Sequence, residues 1–225
     1  MATTSAAPAR QSVARSERSG QSGQHGRVER AIADFARGAF VIVFDDESRE
    51  NEGDLMVAAE FTDRAAMAYL LEHTAGVVCA ALPFERCADL DLPQMVADNS
   101  GLHKTAFTVS VDLLAGATTG IPAAERASTV RALADPGTGP QDLGRPGHIF
   151  PIRAARGGVL ERDGHTEAAV DLSRLAGLSG VTTICETVVA DWSTARFGDL
   201  QKLAEAEGLA LISVGDLIAY RRAVD

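Results

Sequence analysis

Three short segments of the sequence combine charged side chains with turn-forming residues beside apolar runs. The first, residues 45–54, reads DDESRENEGD and holds six carboxylates and one arginine in ten positions. Packing so many like charges together is costly unless a cation or a positive substrate group neutralises them. A solvated acidic turn is the alternative, but the run lies between two apolar strands, where loops often carry sites. An EF-hand is excluded because its ligand spacing is absent.

The second segment, residues 162–167, reads RDGHTE and precedes an amphipathic helical pattern. Thr166 is the predicted N-cap. Free N–H groups and the helix dipole at such a start favour an anion, and Arg162 adds a fixed positive charge, so a phosphate fits. An isolated histidine is more often structural, but the position of His165 in a turn at this helix start favours a functional role.

The third segment, residues 145–151, reads RPGHIFP, and a carboxylate at Glu186 follows an apolar strand pattern. His148 is either part of a rigid turn or a general base held at a fixed angle. Glu186 is either a surface side chain or a proton-transfer group. Carboxylates, arginine and histidine together suit a hard cation such as Mg²⁺, whereas no Cys/His cluster has zinc spacing. A small phosphorylated substrate that loses a proton next to a carbonyl is consistent with these groups.

Composition limits the partners of the chain. Its 225 residues carry a formal charge of −10, and 46% of them are hydrophobic. An acidic chain is a poor candidate for nucleic-acid binding, and no stretch approaches the roughly 20 apolar residues of a membrane helix. The three cysteines form no C-x-x-C pair, and an odd, low count fits a reducing cytosol. We therefore expect a cytoplasmic protein with neither nucleic acid nor membrane as a partner.

The elements that must position these segments follow from the hydrophobic pattern. Residues 1–26 have almost no large apolar side chain and predict a disordered tail, and residues 27–225 predict one compact domain. The pattern predicts strands over 40–44, 55–59, 76–82, 105–112, 181–187 and 209–213, and a loop over 136–147. It predicts helices over 28–37, from about 63, over 123–134, over 167–178, over 199–207 and after Ser213. The irregular order indicates an α/β (mixed α+β) fold, a mixed sheet surrounded by helices.

Six motifs strongly resemble one enzyme family in their order and spacing. They read DDESRENEGDL, TAFTVSVD, TTGIPAAERA, RPGHIFP, GGVLERDGHTEAAVDL and ICE. Together they resemble 3,4-dihydroxy-2-butanone 4-phosphate synthase of riboflavin biosynthesis, and the likeness covers about residues 28–222. The chain departs from the family pattern at Lys104, where glycine is common, and at residues 187–196, where the family has an Asn/Asp-Asp-Gly turn.

The resemblance implies a reaction, a metal and an assembly. The substrate is D-ribulose 5-phosphate, and the products are L-3,4-dihydroxy-2-butanone 4-phosphate and formate. The route is a metal-stabilised enediolate, a skeletal rearrangement and loss of C4. The metal is Mg²⁺, with Mn²⁺ as a substitute, and family members are homodimers with active sites near the dimer interface. Some bacteria fuse this domain to GTP cyclohydrolase II. No cysteine-rich zinc segment occurs here, so we expect synthase activity alone.

The resemblance also assigns roles to residues of this chain. Glu50 and His165 match metal ligands, and His148 and Glu186 match positions regarded as essential for catalysis. The matched substrate-binding positions are Arg49, Glu50, Asp54, Arg162, Asp163, Gly164, His165, Thr166 and Glu186. Asp45, Glu52 and Cys79 match residues near the pocket.

Two other classes of function remain open at this point. One is a related fold that binds a ligand without catalysis, which would not need the full set of charged residues. The other is a metal-dependent sugar-phosphate isomerase or aldolase, which shares the enediolate step but does not release formate.

Overall fold

The computed structural model describes the chain from Ala9 to Asp225. In this part of the chain, seven strands form one sheet in the order β4-β5-β3-β6-β2-β1-β7. The β1–β7 and β3–β5 pairs are parallel and the other four pairs are antiparallel. The predicted mixed sheet is confirmed. The strands are Val41–Phe44 (β1), Gly53–Ala58 (β2), Cys79–Leu82 (β3), Val111–Leu113 (β4), Leu143–Arg153 (β5), Thr182–Glu186 (β6) and Ala210–Ser213 (β7).

Helices cover both faces of the sheet. Buried side chains of α2, α3, α4 and α6 pack on one face, and those of α1, α5 and α7 pack on the other. The helices are Ala9–Ala36 (α1), Arg64–His73 (α2), Phe84–Asp89 (α3), Ala123–Ala134 (α4), His165–Leu175 (α5), Phe197–Glu207 (α6) and Val214–Val224 (α7). No helix of this part of the chain is both long enough and apolar enough to cross a membrane.

The alternation of side chains along β1 explains why both faces are covered. Val41 and Val43 belong to the core that contacts α1 and α5, and Ile42 belongs to the core on the opposite face. Successive strand residues point to opposite faces, so an unbroken apolar strand needs a helical layer on each side. Burying a side chain of this size contributes about 1.5–3 kcal/mol.

Local signals predicted several element boundaries correctly. The Asp63 side chain accepts a hydrogen bond from Ala66 N at 2.8 Å and caps α2. Ser213 and Asp216 form a capping box at the start of α7, where the sequence predicts a helix after Ser213. Gly208 ends α6 with φ 68°, the left-handed conformation that favours glycine.

The first helix is longer than its apolar pattern indicates. The pattern predicts a start near residue 28, whereas α1 begins at Ala9. Val28 and Phe35, which carry the apolar pattern, are buried, but the earlier turns contain no proline that would stop the helix. Residues 1–8 lie outside the described part of the chain, and the disorder predicted for them stays a prediction.

Two regions next to the third motif differ from the prediction. Residues 105–112 do not form a continuous strand, because only Val111–Leu113 joins the sheet as β4 and Phe107 and Thr108 make isolated bridges. The loop predicted over 136–147 is wrong in its last part, where β5 already begins at Leu143. Pro146 has no N–H to donate, and it lies where the β4–β5 register is irregular, so the ladder loses little.

Both departures from the family pattern fall at left-handed backbone positions. Lys104 has φ 54° and Trp192 has φ 68°. Trp192 N donates to Val189 O at 2.8 Å, which closes the turn at the tip of the 187–196 loop. Glycine would adopt this conformation without the strain that a side chain adds.

Candidate active site

The acidic loop between β1 and β2 is organised by its first carboxylate. Asp45 is buried, and its oxygens accept hydrogen bonds from Glu50 N and Glu52 N at 3.0 Å and from Arg49 Nη1 at 2.8 Å. These bonds fold the loop back on itself. Arg49 Nη1 also lies 2.7 Å from Glu50 Oε2. The loop is therefore a structured element that holds Glu50 in one orientation.

The loop brings Glu50 to the start of α5, which lies 115 residues further along the chain. His165 Nδ1 is 3.3 Å from Glu50 Oε2. His165 is buried, and its Nε2 has no hydrogen-bond partner among the described residues. A buried imidazole nitrogen without a partner is costly unless something else binds it.

Sheet register adds two more carboxylates to the same place. Asp54 on β2 lies directly opposite Glu186 on β6. Met56 and Ile184 lie two residues away on these strands and face the α1–α5 layer, so alternation directs Asp54 and Glu186 to that same side. Glu186 Oε2 accepts a hydrogen bond from Val77 N at 3.2 Å.

These side chains line one cavity of about 120 Å³ at the N-terminal end of α5. Cys79, Phe107, Ile152 and Ile184 form an apolar part of its wall. The predicted residues that line it are Arg49, Glu50, Glu52, Asp54, Cys79, Arg162, His165, Thr166 and Glu186. Most of the predicted set is therefore brought together by the fold. Two larger clefts elsewhere are lined by none of these charged residues, and a third, of about 280 Å³, shares only Arg162 with this cavity.

The pKa values of the cavity residues reflect burial and the several carboxylates that lie close together there. The hydrogen bond with His165, together with the charge of Arg49, lowers the pKa of Glu50 to about 2. Burial raises the pKa of Asp54 to about 7. Burial opposes charging of His165, but the carboxylates of Asp54, Glu50 and Asp45 outweigh it and raise its pKa to about 9. The cavity thus stabilises positive charge next to Glu50.

The donor set fits a divalent cation. One oxygen each of Asp45 and Glu50 and a ring nitrogen of His165 lie within 4.8 Å of one another. Carboxylate oxygens are the ligands that Mg²⁺ prefers, and imidazole nitrogen completes a set that many divalent ions accept. Both Asp45 oxygens already accept hydrogen bonds from the loop, so Glu50 and His165 are the better candidate ligands.

The start of α5 differs in detail from the prediction. Gly164, not Thr166, is the N-cap residue, and α5 begins at His165. Thr166 is buried in the first turn. A Cβ atom at Gly164 would lie 2.1 Å from Arg162 Nη1. Glycine therefore leaves room for the Arg162 guanidinium to cross this position, and a larger residue would displace it.

The remaining residues of this segment have distinct positions. The Arg162 guanidinium contacts the buried Glu167 carboxylate and donates to His103 O at 3.1 Å, which fixes it at the cavity wall. The Asp163 side chain is exposed and does not line the cavity. Burial raises the pKa of the Cys79 thiol, which keeps it protonated. Cys79 is thus a wall residue without nucleophilic character.

His103 also contacts the site, and no sequence motif indicated it. Its Nδ1 lies 3.9 Å from Glu50 Oε1, and its carbonyl oxygen holds Arg162. It follows Leu102 in an irregular segment without a motif, so neither periodicity nor spacing could have indicated it.

His148 is not brought to this cavity within one chain. It lies on β5 four residues before the wall residue Ile152, which corresponds to about 13 Å along an extended strand. Its side chain is 42% exposed and contacts Asp112. A role at the cavity would require a second copy of the chain.

Comparison with known proteins identifies the family of the chain. The family model described as 3,4-dihydroxy-2-butanone 4-phosphate synthase matches residues 29–220. The chain belongs to this family. A synthase of this name from Agrobacterium fabrum (strain C58) is 52% identical over 194 residues, which cover 86% of this chain and 91% of that protein.

Longer relatives and solved structures match as well. The riboflavin biosynthesis protein RibBA of Salinispora arenicola is 50% identical over 197 residues, which are 88% of this chain and 47% of that protein. The chain thus spans about half the length of such relatives. A crystal structure of 3,4-dihydroxy-2-butanone 4-phosphate synthase in complex with two magnesium ions matches with a TM-score of 0.85 at 42% identity. The match covers 88% of this chain and 97% of the chain in that crystal structure.

Proposed function

We propose that this chain converts D-ribulose 5-phosphate to L-3,4-dihydroxy-2-butanone 4-phosphate and formate in riboflavin biosynthesis. The five carbons of the substrate are divided between a four-carbon phosphate and formate, so no other reactant is needed. The observation that carries the proposal is the convergence of Glu50, His165, Asp54 and Glu186 on one cavity from four separate elements.

Glu50 and His165 are the proposed ligands of Mg²⁺, and we expect Mn²⁺ to substitute. The approach of His165 Nδ1 to within 3.3 Å of Glu50 Oε2 supports this assignment, because one cation between them can replace the hydrogen bond. When bound, the cation would withdraw electron density from substrate oxygens, which favours loss of a proton from the neighbouring carbon.

The phosphate is proposed to bind at the start of α5. Arg162 supplies positive charge there, and the backbone N–H groups of the N-cap residue Gly164 and of His165 and Thr166 in the first turn favour an anion. Arg49 borders the opposite side of the cavity. This arrangement would orient the sugar carbons toward Asp54 and Glu186.

Asp54 and Glu186 are proposed to hold and move protons of the sugar. Burial raises the pKa of Asp54 to about 7, so it exchanges a proton readily at neutral pH and can donate to a substrate hydroxyl. Glu186 lies opposite it at the end of β6 and is fixed by Val77 N. Glu52 lines the same cavity, and burial raises the pKa of its carboxyl group.

A homodimer is proposed because His148 cannot reach the cavity of its own chain. Leu114 and Ile121 are 59% and 52% exposed and flank the segments that carry Asp112 and Gly120, next to His148. Exposed apolar side chains in such a position are typical of an interface. In the proposed dimer, His148 of one subunit serves the cavity of the other as an acid or base. We further propose a cytoplasmic location without a nucleic-acid or membrane partner.

Metal removal tests the proposed reaction directly. With ribulose 5-phosphate and Mg²⁺, we expect equal amounts of formate and a four-carbon phosphate, measured by formate dehydrogenase coupling and by NMR. EDTA should abolish formate release, and either Mg²⁺ or Mn²⁺ should restore it. Formate release that persists after exhaustive chelation would contradict the metal assignment, and no formate under any condition would contradict the reaction.

A further inference from the structure

Asp112 and His148 form a hydrogen-bonded pair on the two strands at one edge of the sheet. Asp112 lies on the edge strand β4 and His148 on its neighbour β5. The backbone N–H of His148 donates to Asp112 Oδ1 at 2.9 Å, and ring atom Nδ1 lies 2.6 Å from Asp112 Oδ2. One histidine therefore engages both oxygens of one carboxylate.

An irregularity of the β4–β5 register creates this pair. Val111 pairs with Ile149, but the next residue, Asp112, pairs with Gly144. Residues 145–148 bulge out of the ladder between these two pairs. Bulges of this kind are known to redirect side chains near active sites. Here the bulge turns His148 back over the Asp112 carboxylate.

Two glycines show how tightly the pair is enclosed. A Cβ atom at Gly147 would lie 2.0 Å from the carbonyl carbon of Val111. A Cβ atom at Gly120, where φ is 80°, would lie 2.1 Å from Asp112 Oδ2 and 2.4 Å from His148 Nδ1. Only glycine therefore fits at either position, and the backbone at Gly120 covers the Asp112–His148 hydrogen bond.

The turn that carries Gly120 is itself anchored by a carboxylate. Glu125, in the first turn of α4, accepts hydrogen bonds from Thr118 N at 2.9 Å, Thr118 Oγ1 at 2.6 Å and Gly120 N at 2.8 Å. These hydrogen bonds fix the turn, residues 118–120, against the Asp112–His148 pair. The side chains of Asp112 and His148 thus have little freedom to rotate.

We infer that Asp112 is the positioning residue that sets the tautomer and orientation of His148 for proton transfer. An ionised carboxylate only accepts hydrogen bonds, so ring atom Nδ1 carries the proton and Nε2 presents its lone pair. The negative charge of Asp112 also stabilises the imidazolium that forms when Nε2 takes a proton. This inference rests on the proposed function, because it gives His148 a role in the reaction.

Replacing Asp112 with asparagine tests the tautomer. The backbone N–H of His148 requires an acceptor, so the amide oxygen of the introduced asparagine would occupy that position and its NH₂ group would face ring atom Nδ1. The proton must then move to Nε2, and the base is lost. For Asp112→Asn we expect kcat to fall by about a hundredfold, with little change in KM because the substrate-binding cavity is untouched.

Further variants distinguish positioning from a general structural effect. Asp112→Ser keeps an acceptor for the backbone N–H but not for the ring, and should lose as much activity as Asp112→Asn. Long-range ¹H–¹⁵N spectra should show the proton of His148 on Nδ1 in the wild type and on Nε2 in Asp112→Asn. Adding Asp112→Asn to His148→Asn should cost no further activity.

The outcomes separate this inference from the proposed function. If His148→Asn is inactive while Asp112→Asn keeps wild-type kcat, Asp112 has no positioning role and the function is unaffected. An unchanged tautomer in Asp112→Asn likewise overturns the inference. If His148→Asn itself keeps full activity, the proposed role of His148 has failed, and the inference fails with it.

Discussion

Replacing Glu50 with glutamine, or His165 with asparagine, is expected to lower the rate of formate release by about a thousandfold. The loss corresponds to the several kcal/mol of charge stabilisation that a bound divalent ion supplies. Glutamine in place of Glu50 would keep the shape of the side chain but lose the charge that balances His165 and Arg49. Asparagine in place of His165 would lack both imidazole nitrogens. Calorimetric titration with Mg²⁺ alone should show weakened binding in each variant.

Glu47→Gln provides a matched control for the Glu50 substitution. Glu47 lies in the same acidic loop, and its side chain is exposed. The same change of charge at this position should leave Mg²⁺ binding and turnover close to the wild type. Equal losses in Glu47→Gln and Glu50→Gln would mean that the overall charge of the loop matters, and would contradict a specific ligand role for Glu50.

A mixed dimer of Glu50→Gln and His148→Asn subunits is expected to recover activity that neither parent shows. If His148 of one subunit serves the cavity of the other, one of the two cavities in this dimer carries both replacements and the other carries neither. The purified mixed dimer should therefore reach about half of the wild-type rate, as two-fold symmetry requires. Subunits with different affinity tags allow its isolation.

The pairing of Glu50→Gln with His165→Asn is the control for this experiment. Glu50 and His165 lie in the same cavity of one chain, 3.3 Å apart, so each cavity of this mixed dimer lacks one of the two groups. It should stay inactive. An inactive Glu50→Gln/His148→Asn dimer, or a monomeric wild type in light scattering, would contradict the exchange of His148 between subunits.

The sequence predicted those parts of the fold that depend on local signals. Asp63, Gly208 and the Ser213–Asp216 pair determine helix ends within a few residues of themselves, and these boundaries are confirmed. Residues 105–112 also alternate, but alternation does not reveal whether a partner strand runs alongside. Only Val111 and Asp112, at the end of this segment, pair with β5, so the strand prediction over 105–112 is largely wrong.

The candidate site was likewise predictable only where its residues form local motifs. The acidic loop and the start of α5 were recognisable because each is a dense local motif, and the resemblance linked Glu50 to His165. The Asp112–His148 pair depends on a register irregularity between residues that are 36 positions apart. No local pattern encodes that register, so Asp112, Gly120 and Glu125 received no role although all three lie within the quoted motifs. The N-cap at Gly164 was missed because its fit depends on the Arg162 guanidinium.

The fate of one substrate carbon tests the proposed reaction most directly. Ribulose 5-phosphate labelled with ¹³C at C4 should give ¹³C-formate and an unlabelled four-carbon phosphate when incubated with this chain and Mg²⁺. The NMR signal of labelled formate should grow at the rate of substrate loss. Label that stays in a five-carbon sugar phosphate, as an isomerase would leave it, or that appears in an aldol cleavage fragment, would contradict the proposed function.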